Sequence, residues 1–231
     1  MDKKISVIIP AFNEENSIDI VINTVKKCEY VKEIIVVDNL STDKTGEVAS
    51  NAGAKVIKCE MQGKGYAMEK GMEIVENDII VFLDADIPGY SEDIVYKLAE
   101  PIIERDIDFV KSTFDREGGR VTELVAKPML KILYPDLQNF SQPLSGMIAG
   151  KKNIFKKLIF EKDYGVDIGI LIDVANMNCI MEEVKIGKLE NKSKDWKALD
   201  KMATEVMRAI LKRRNIGWIY MFLGMDKQIT I

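Results

Sequence analysis

Two aspartates one residue apart, Asp84 and Asp86, close the unbroken apolar run from Ile79 to Leu83. Residues two apart on an extended strand face the same way, so both carboxylates leave the strand end on one side. Two hard oxygen donors side by side suit a Mg²⁺ or Mn²⁺ ion that also grips a diphosphate. Pro88 and Gly89 then force a turn. Alone, the pair could equally solvate a strand end and start that turn, since so short a motif recurs by chance. Histidine is absent from all 231 residues. That excludes Ser-His and Cys-His catalysis and any histidine metal ligand. Cys28, Cys59 and Cys179 are widely spaced and form no CxxC pair. They read as reduced core thiols of a cytoplasmic protein rather than as a zinc site or a disulfide frame. The chemistry falls to carboxylates, amides, lysines and backbone.

The elements that must position these acids alternate. Ile5 to Pro10, Val31 to Val37, Lys55 to Lys58, Ile79 to Leu83 and Asp108 to Lys111 read as strands. Between them, helices are expected over Glu14 to Glu29, from Ser41 or Thr42 as N-cap to Gly53, from Gly63 to about Glu76, and from Ser91 to Arg105. Five strands interleaved with four helices predict an α/β fold, a right-handed and mostly parallel sheet with helices on both faces. Ligands of such sheets sit beyond the carboxyl ends of the strands. Four polar clusters follow strands: Asn13-Glu14-Glu15, Asp38-Asn39, Gln62-Gly63-Lys64 and Asp84-Ala85-Asp86. One acidic loop is noise, but four polar loops on one rim make a site. The net charge of −4 gives no single-sign field, which speaks against a nucleic-acid partner. No apolar run approaches the roughly 20 residues that span a bilayer, and the N-terminus lacks a signal-peptide pattern. No stable membrane insertion is therefore expected.

Beyond residue 115 the pattern changes, so we divide the chain into residues 1–115, a nucleotide-binding half, and 116–231, an acceptor-side half of the same continuous domain. Two glycines between charged residues, Arg116-Glu117-Gly118-Gly119-Arg120, read as a hinge or an anion loop. Thr122 lies in the first turn of a helix expected over Val121 to Tyr134, kinked near Pro128. Gln142-Pro143-Leu144-Ser145-Gly146 is a tight, backbone-exposing element. A helix begins near Asp167, a strand is expected over Glu182 to Glu190, and Ala198 to Arg214 carries one apolar face. Lys64, between two glycines, can bring a point charge to a diphosphate while the backbone approaches closely.

The segments Val7 to Glu14, Val36 to Asp43, Gly63 to Gly65 and Leu83 to Asp86 resemble, in order, the motifs of family-2 glycosyltransferases. That resemblance implies a Rossmann-like GT-A fold with a smaller C-terminal acceptor-side region. Gly119 to Pro128, Gln142 to Gly146 and Tyr164 to Gly169 are similar to the glucosyl-3-phosphoglycerate synthases and their mannosyl relatives. The implied activity is retaining, metal-dependent transfer of a hexose from a nucleoside diphosphate sugar, UDP-glucose foremost, to a small anionic acceptor such as 3-phosphoglycerate. The implied partners are those two substrates, with Mg²⁺ or Mn²⁺ as cofactor and a homodimer as assembly. The donor would be held by Pro10, Ala11, Asn13, Glu14, Asp38, Lys64, Asp84, Ala85, Leu144 and Tyr164, and the acceptor by Gly119, Arg120 and Thr122. Asp86 and Asp167 would be the catalytic carboxylates. Asp84 and Asp86 would ligate the metal, with Asn191 where the family has a histidine. Asp167 also stands where the family has a glutamate. Two rival readings stay open: a polyprenyl-phosphate sugar transferase, prompted by the apolar run Ile216 to Leu223, and a non-catalytic sugar-nucleotide-binding protein. A nucleotidyltransferase would need a glycine-rich loop after the first strand, and Pro10 to Asn13 is not one.

Overall fold

Short valine- and isoleucine-rich strands, buried on both faces, give the chain its frame. The computed structural model describes residues 3–115, 119–189 and 195–214. Its strands are β1 (Ile5–Ala11), β2 (Val31–Asp38), β3 (Lys55–Lys58), β4 (Ile79–Phe82), β5 (Phe109–Thr113), β6 (Ile148–Lys151) and β7 (Met181–Lys185). They form one sheet in the order β3-β2-β1-β4-β6-β5-β7. Six of the strands run parallel, and β6 lies antiparallel between β4 and β5. The helices are α1 (Ile18–Val25), α2 (Thr45–Asn51), α3 (Lys64–Ile74), α4 (Ile94–Arg105), α5 (Lys127–Leu133), α6 (Lys152–Phe155), α7 (Val166–Asn176) and α8 (Trp196–Arg213).

The two-residue repeat of each strand sends alternate side chains into two separate cores. Ile8, Ile35, Phe82, Phe109 and Ile148 face one side, where they meet Met68 of α3, Phe155 of α6 and the apolar face of α7. Val7, Ile9, Val36, Val81 and Val110 face the other, against Val21 and Ile22 of α1 and Val95 and Leu98 of α4. Phe82 and Phe155 meet edge to face at 5.2 Å, the geometry that aromatic quadrupoles favour. Cover on both faces explains why the strands read as continuous apolar runs.

Several boundaries differ from the sequence-based expectation. Among the described residues seven strands are present rather than the six expected, and the strand of residues 109–113 is separated from β4 by β6. Ile148-Ala149-Gly150-Lys151 is too short, and too weak in β-formers, to announce itself. α1 begins at Ile18 rather than Glu14, because residues 13–15 are drawn onto the loop after β2: Asn13 N donates to Ser41 Oγ and Glu14 N to Thr45 Oγ1. Ser41 and Thr42 are thereby engaged and do not cap α2, whose N-cap is Lys44. The helix containing Pro128 opens with a π-helical turn, Thr122–Ala126, before α5. Proline lacks an N–H and crowds the carbonyl four residues back, which accounts for the widened turn. β7 ends at Lys185, well short of Glu190, which itself lies outside the described residues.

The antiparallel course of β6 has a direct consequence for the rim. Its first residue, Ile148, pairs with Phe82 and with Lys111 near the carboxyl ends of β4 and β5. The Gln142–Gly146 turn that leads into β6 is therefore delivered to the same edge as the polar loops after β1, β2 and β4.

Gly63 and Gly65 are not a loose turn. Gly63 has φ +146°, and a Cβ at either position would overlap the main-chain carbonyl of Lys162 or Glu161. The start of α3 is thus pressed against backbone from the second half of the chain. Gly65→Ala is expected to cost about 3 kcal/mol of stability by forced displacement of that backbone, read as a lower urea midpoint with unchanged m-value.

Candidate active site

The carboxyl ends of the parallel strands and the amino end of β6 surround an open cleft of about 1100 Å³. Lys64, at the first position of α3, stands at its centre. Its Nζ donates to Asp84 Oδ1 at 2.8 Å and to Asp167 Oδ2 at 3.0 Å. Burial opposes the ammonium charge, but the Asp167 and Asp84 carboxylates outweigh it and hold the Lys64 pKa above the ordinary lysine value. Gly146 abuts the pair so closely that any side chain there would overlap Lys64 Nζ and Asp84. Three distant segments thus meet on one ammonium group.

Asp86 lies beside this cluster in a different electrostatic state. Burial, then the neighbouring Asp84 and Glu14 carboxylates, push its pKa above the usual range. A concentration of negative charge with few cations to answer it is the electrostatic signature of a cation site. Tyr90 braces the turn from behind: its hydroxyl accepts from Asp84 N at 3.1 Å and donates to Asp84 O at 3.2 Å. Among the described residues no group of three or more acids or thiols is gathered closely enough to cage a metal. The donor set of Asp84 and Asp86 fits a hard divalent ion of the kind that takes one or two carboxylates and completes its shell with substrate phosphates and water. Asn191 lies outside the described residues.

Asp167, in the first turn of α7, spends one oxygen on Lys64. Its Oδ1 is buried without a hydrogen-bond partner among the described residues. A buried carboxylate oxygen left open costs free energy unless something else binds it. Beneath it, fully buried Lys111 donates from Nζ to Asp167 O at 3.1 Å and to Ser145 O at 2.9 Å. Burial pulls the Lys111 pKa down to about 8.

Gly119, Arg120 and Thr122 also line the cleft, together with Leu199, Lys201, Met202 and Glu205 of α8. Glu205 accepts from Tyr164 N at 3.2 Å, and the Arg120 guanidinium lies 4.8 Å above the Trp196 ring.

Most of the residues singled out from sequence come together here. Pro10, Ala11, Glu14, Lys64, Asp84, Ala85, Asp86, Gly119, Arg120, Thr122, Leu144, Tyr164 and Asp167 all line the cleft. Asn13 and Asp38 are not among the residues that line it. Asn13 Oδ1 accepts from Thr42 N at 2.8 Å, and the Asp38 carboxylate accepts from Ser41 N at 3.0 Å and packs against Gly46. Asn39 takes the lining position instead. Its side chain donates to Met61 O at 2.6 Å and accepts from Gly63 N at 2.7 Å, tying the β2 loop to the glycine start of α3. Lys111 was not singled out from sequence, though a lysine inside the strand Phe-Val-Lys-Ser-Thr was its signal. The α8 contribution carried no signal, because its distance along the chain hides it.

Comparison with known proteins agrees with this geometry. The model of the family "Glycosyl transferase family 2" matches residues 6–163. A glucosyl-3-phosphoglycerate synthase of Petrotoga mobilis is 36% identical over 92% of this chain and 74% of its own length. The synthase of Mycolicibacterium smegmatis is 33% identical over 93% of this chain and 79% of its own. A crystal structure of the Mycobacterium tuberculosis synthase, in complex with Mn²⁺, UDP and phosphoglyceric acid, superposes with a TM-score of 0.88 at 35% identity, covering 92% of this chain and 79% of that one. A fold with this sheet order and rim, matched over its length by those sequences, belongs to glycosyl transferase family 2 and is closely related to the glucosyl-3-phosphoglycerate synthases.

Proposed function

We propose that this chain is a glucosyltransferase that moves glucose from UDP-glucose to 3-phosphoglycerate with Mg²⁺ or Mn²⁺ and with retention at the anomeric carbon. The observation that carries the reading is the presence, in the lining of one cleft, of both the Asp84–Asp86–Lys64 cluster and the Gly119–Arg120–Thr122 segment. The first set suits a metal-bound diphosphate and the second an anionic acceptor, and the similar M. tuberculosis synthase forms a complex with Mn²⁺, UDP and phosphoglyceric acid. Residues 1–115 would then hold the nucleotide and most of the second half the acceptor, with Leu144 and Tyr164 reaching back to the donor. Asp84 and Asp86 would hold the metal, which when bound neutralises charge that develops on the leaving diphosphate.

The chain's own groups do the remaining work by position and charge. Lys64 keeps its proton and places a fixed positive charge where the diphosphate oxygens gather. The open Oδ1 of Asp167 is free to take a hydrogen bond from a sugar hydroxyl and so to orient the ring. Arg120 and the adjoining amides fix the acceptor's anionic groups. In the retaining course the acceptor hydroxyl forms its bond to the anomeric carbon on the face from which the diphosphate oxygen departs. That departing oxygen takes the hydroxyl proton, so no side-chain base is needed. This is how a site without histidine can run the reaction. Free Cys28, Cys59 and Cys179 support a cytoplasmic setting, and no described helix is long and apolar enough to cross a membrane. A homodimer is the assembly expected from the family resemblance.

Three tests follow from these roles. Incubation with UDP-glucose, 3-phosphoglycerate and Mn²⁺ should release UDP and yield an α-linked product by NMR; a β-anomer would move Asp167 to the role of general base. Asp86→Asn should lower kcat by about 100-fold or more while raising the Tm of the metal-free protein. The sign follows from its raised pKa: the stability this group lends is present in acid and lost as pH rises through that value, so at pH 7 its charge is a burden. Equal or lower Tm in the variant would refute this. Arg120→Ala should raise the acceptor KM at least about tenfold, the loss of a charge-assisted hydrogen bond, with the donor KM little changed.

A further inference from the structure

An arginine that waits for an anion faces a conflict. If a carboxylate holds it in place, that carboxylate competes with the ligand; if nothing holds it, its rotamer freedom must be lost on binding. Arg120 escapes the conflict. Among the described residues no carboxylate pairs with it, and its guanidinium rests 4.8 Å above the indole of Trp196. An aromatic face attracts the cation through its quadrupole but occupies none of the guanidinium's N–H donors. The side chain is oriented while its hydrogen-bonding capacity stays uncommitted.

The indole is itself well anchored, although its ring is 72% exposed. Trp196 is the first residue of α8, and Asp195 caps that helix by accepting from Ala198 N at 2.8 Å. Val206, Ala209 and Ile210 bury the apolar face of α8. At its other end Arg213 grips Asp173 of α7 through two bonds, each 2.7 Å, a fork-on-fork pairing. Helix α7 carries Asp167, so Trp196 and the acid at the cleft centre belong to one braced pair of helices. This exposed tryptophan is spent on no core, yet it stands directly under Arg120, the one arginine among the described residues that line the cleft.

We infer that Trp196 is a positioning residue for acceptor binding: its indole face holds the Arg120 guanidinium ready, without occupying its N–H donors, to receive the acceptor's anionic group. The inference rests on the assignment of Arg120 to the acceptor.

The test uses the full chain. Trp196→Leu should raise the KM for 3-phosphoglycerate about two- to fivefold, the effect of an exposed cation–π contact, without changing the donor KM or kcat at saturation. Trp196→Phe, which keeps an aromatic face, should fall between the Leu variant and the parent. The exposed ring makes both substitutions neutral in Tm, so a loss of folding does not confuse the reading. In a Trp218→Phe background the remaining indole is a direct probe. Its emission should change when 3-phosphoglycerate is added to the protein holding UDP and Mg²⁺, and should not respond to UDP and Mg²⁺ alone. If Arg120→Ala raises the acceptor KM but Trp196→Leu does not, or if the emission ignores the acceptor, the role of Trp196 is overturned and the acceptor assignment stands. If Arg120→Ala leaves the acceptor KM unchanged, the assignment itself falls and takes the inference with it.

Discussion

The arrangement depends on one half-buried cation shared by two acids. Lys64 comes from the start of α3, Asp84 from the end of β4, and Asp167 from α7, more than a hundred residues away from Lys64 in sequence. Coulomb attraction across about 3 Å in a partly dry recess is strong, but so is the cost of taking three charges out of water. The balance favours the pair-of-pairs only while all three partners are present. Remove the lysine and two carboxylates face each other; remove either acid and the ammonium is left under-compensated. The interaction is therefore better seen as a constraint on geometry than as a source of stability. It fixes the distance between the strand-end acids and the first turn of α7, and hence the width of the cleft.

A second ammonium enforces that geometry from below. Among the described residues Lys111 has only main-chain carbonyls as hydrogen-bond partners, one in the turn before β6 and one in α7. It joins those two segments under the floor of the cleft, just as Lys64 joins α3, β4 and α7 at its surface. The turn needs such a fixture. Gly146 lies against both Lys64 and Asp84, with no room for a methyl group between them. A small drift of the turn would either break that contact or close the place a diphosphate must enter. The antiparallel β6 strand supplies the rest, because only an antiparallel entry brings this turn to the rim where the parallel strands end.

The sequence revealed these features unevenly, and the reasons are physical. Strands buried on both faces write themselves as apolar runs, so β1, β2 and β4 were legible, and the polar residues that follow them were legible as a rim. Lys64, Asp84, Asp86 and Asp167 could be named because motif order places them, and because charge beside a buried strand end needs an explanation. What failed to show was whatever depended on pairing at a distance. β6 is four residues of ordinary composition whose strand identity comes from its neighbours. Asp38 and Asn39 share one polar loop, and nothing local says which will face the cleft; the hydrogen bonds of Asn39 to Met61 and Gly63 decide it. The start of α1 was misread because Asn13 to Glu15 have partners 28 to 31 residues downstream that outcompete a first helical turn. Trp196 lies just before the helix expected from Ala198 and drew no reading from sequence; only the fold sets it beneath Arg120.

The missing histidine acquires a meaning in this setting. A histidine ligand or base would titrate near neutrality and make the site's charge pH-dependent. Here the groups displaced toward neutrality approach it from opposite sides: Asp86 moves up from the carboxylate range, and Lys111 moves down to about 8. Lys64 is held protonated far above both. Asp84, Asp86 and Asp167 gather around the Lys64 and Lys111 ammonium groups, while Arg120 pairs with no carboxylate among the described residues. On the function proposed above, such charge would draw a divalent cation to Asp84 and Asp86 first, a diphosphate after it, and an anionic acceptor to Arg120. Order of binding can thus arise from fixed charge alone, with no moving part and no titrating switch.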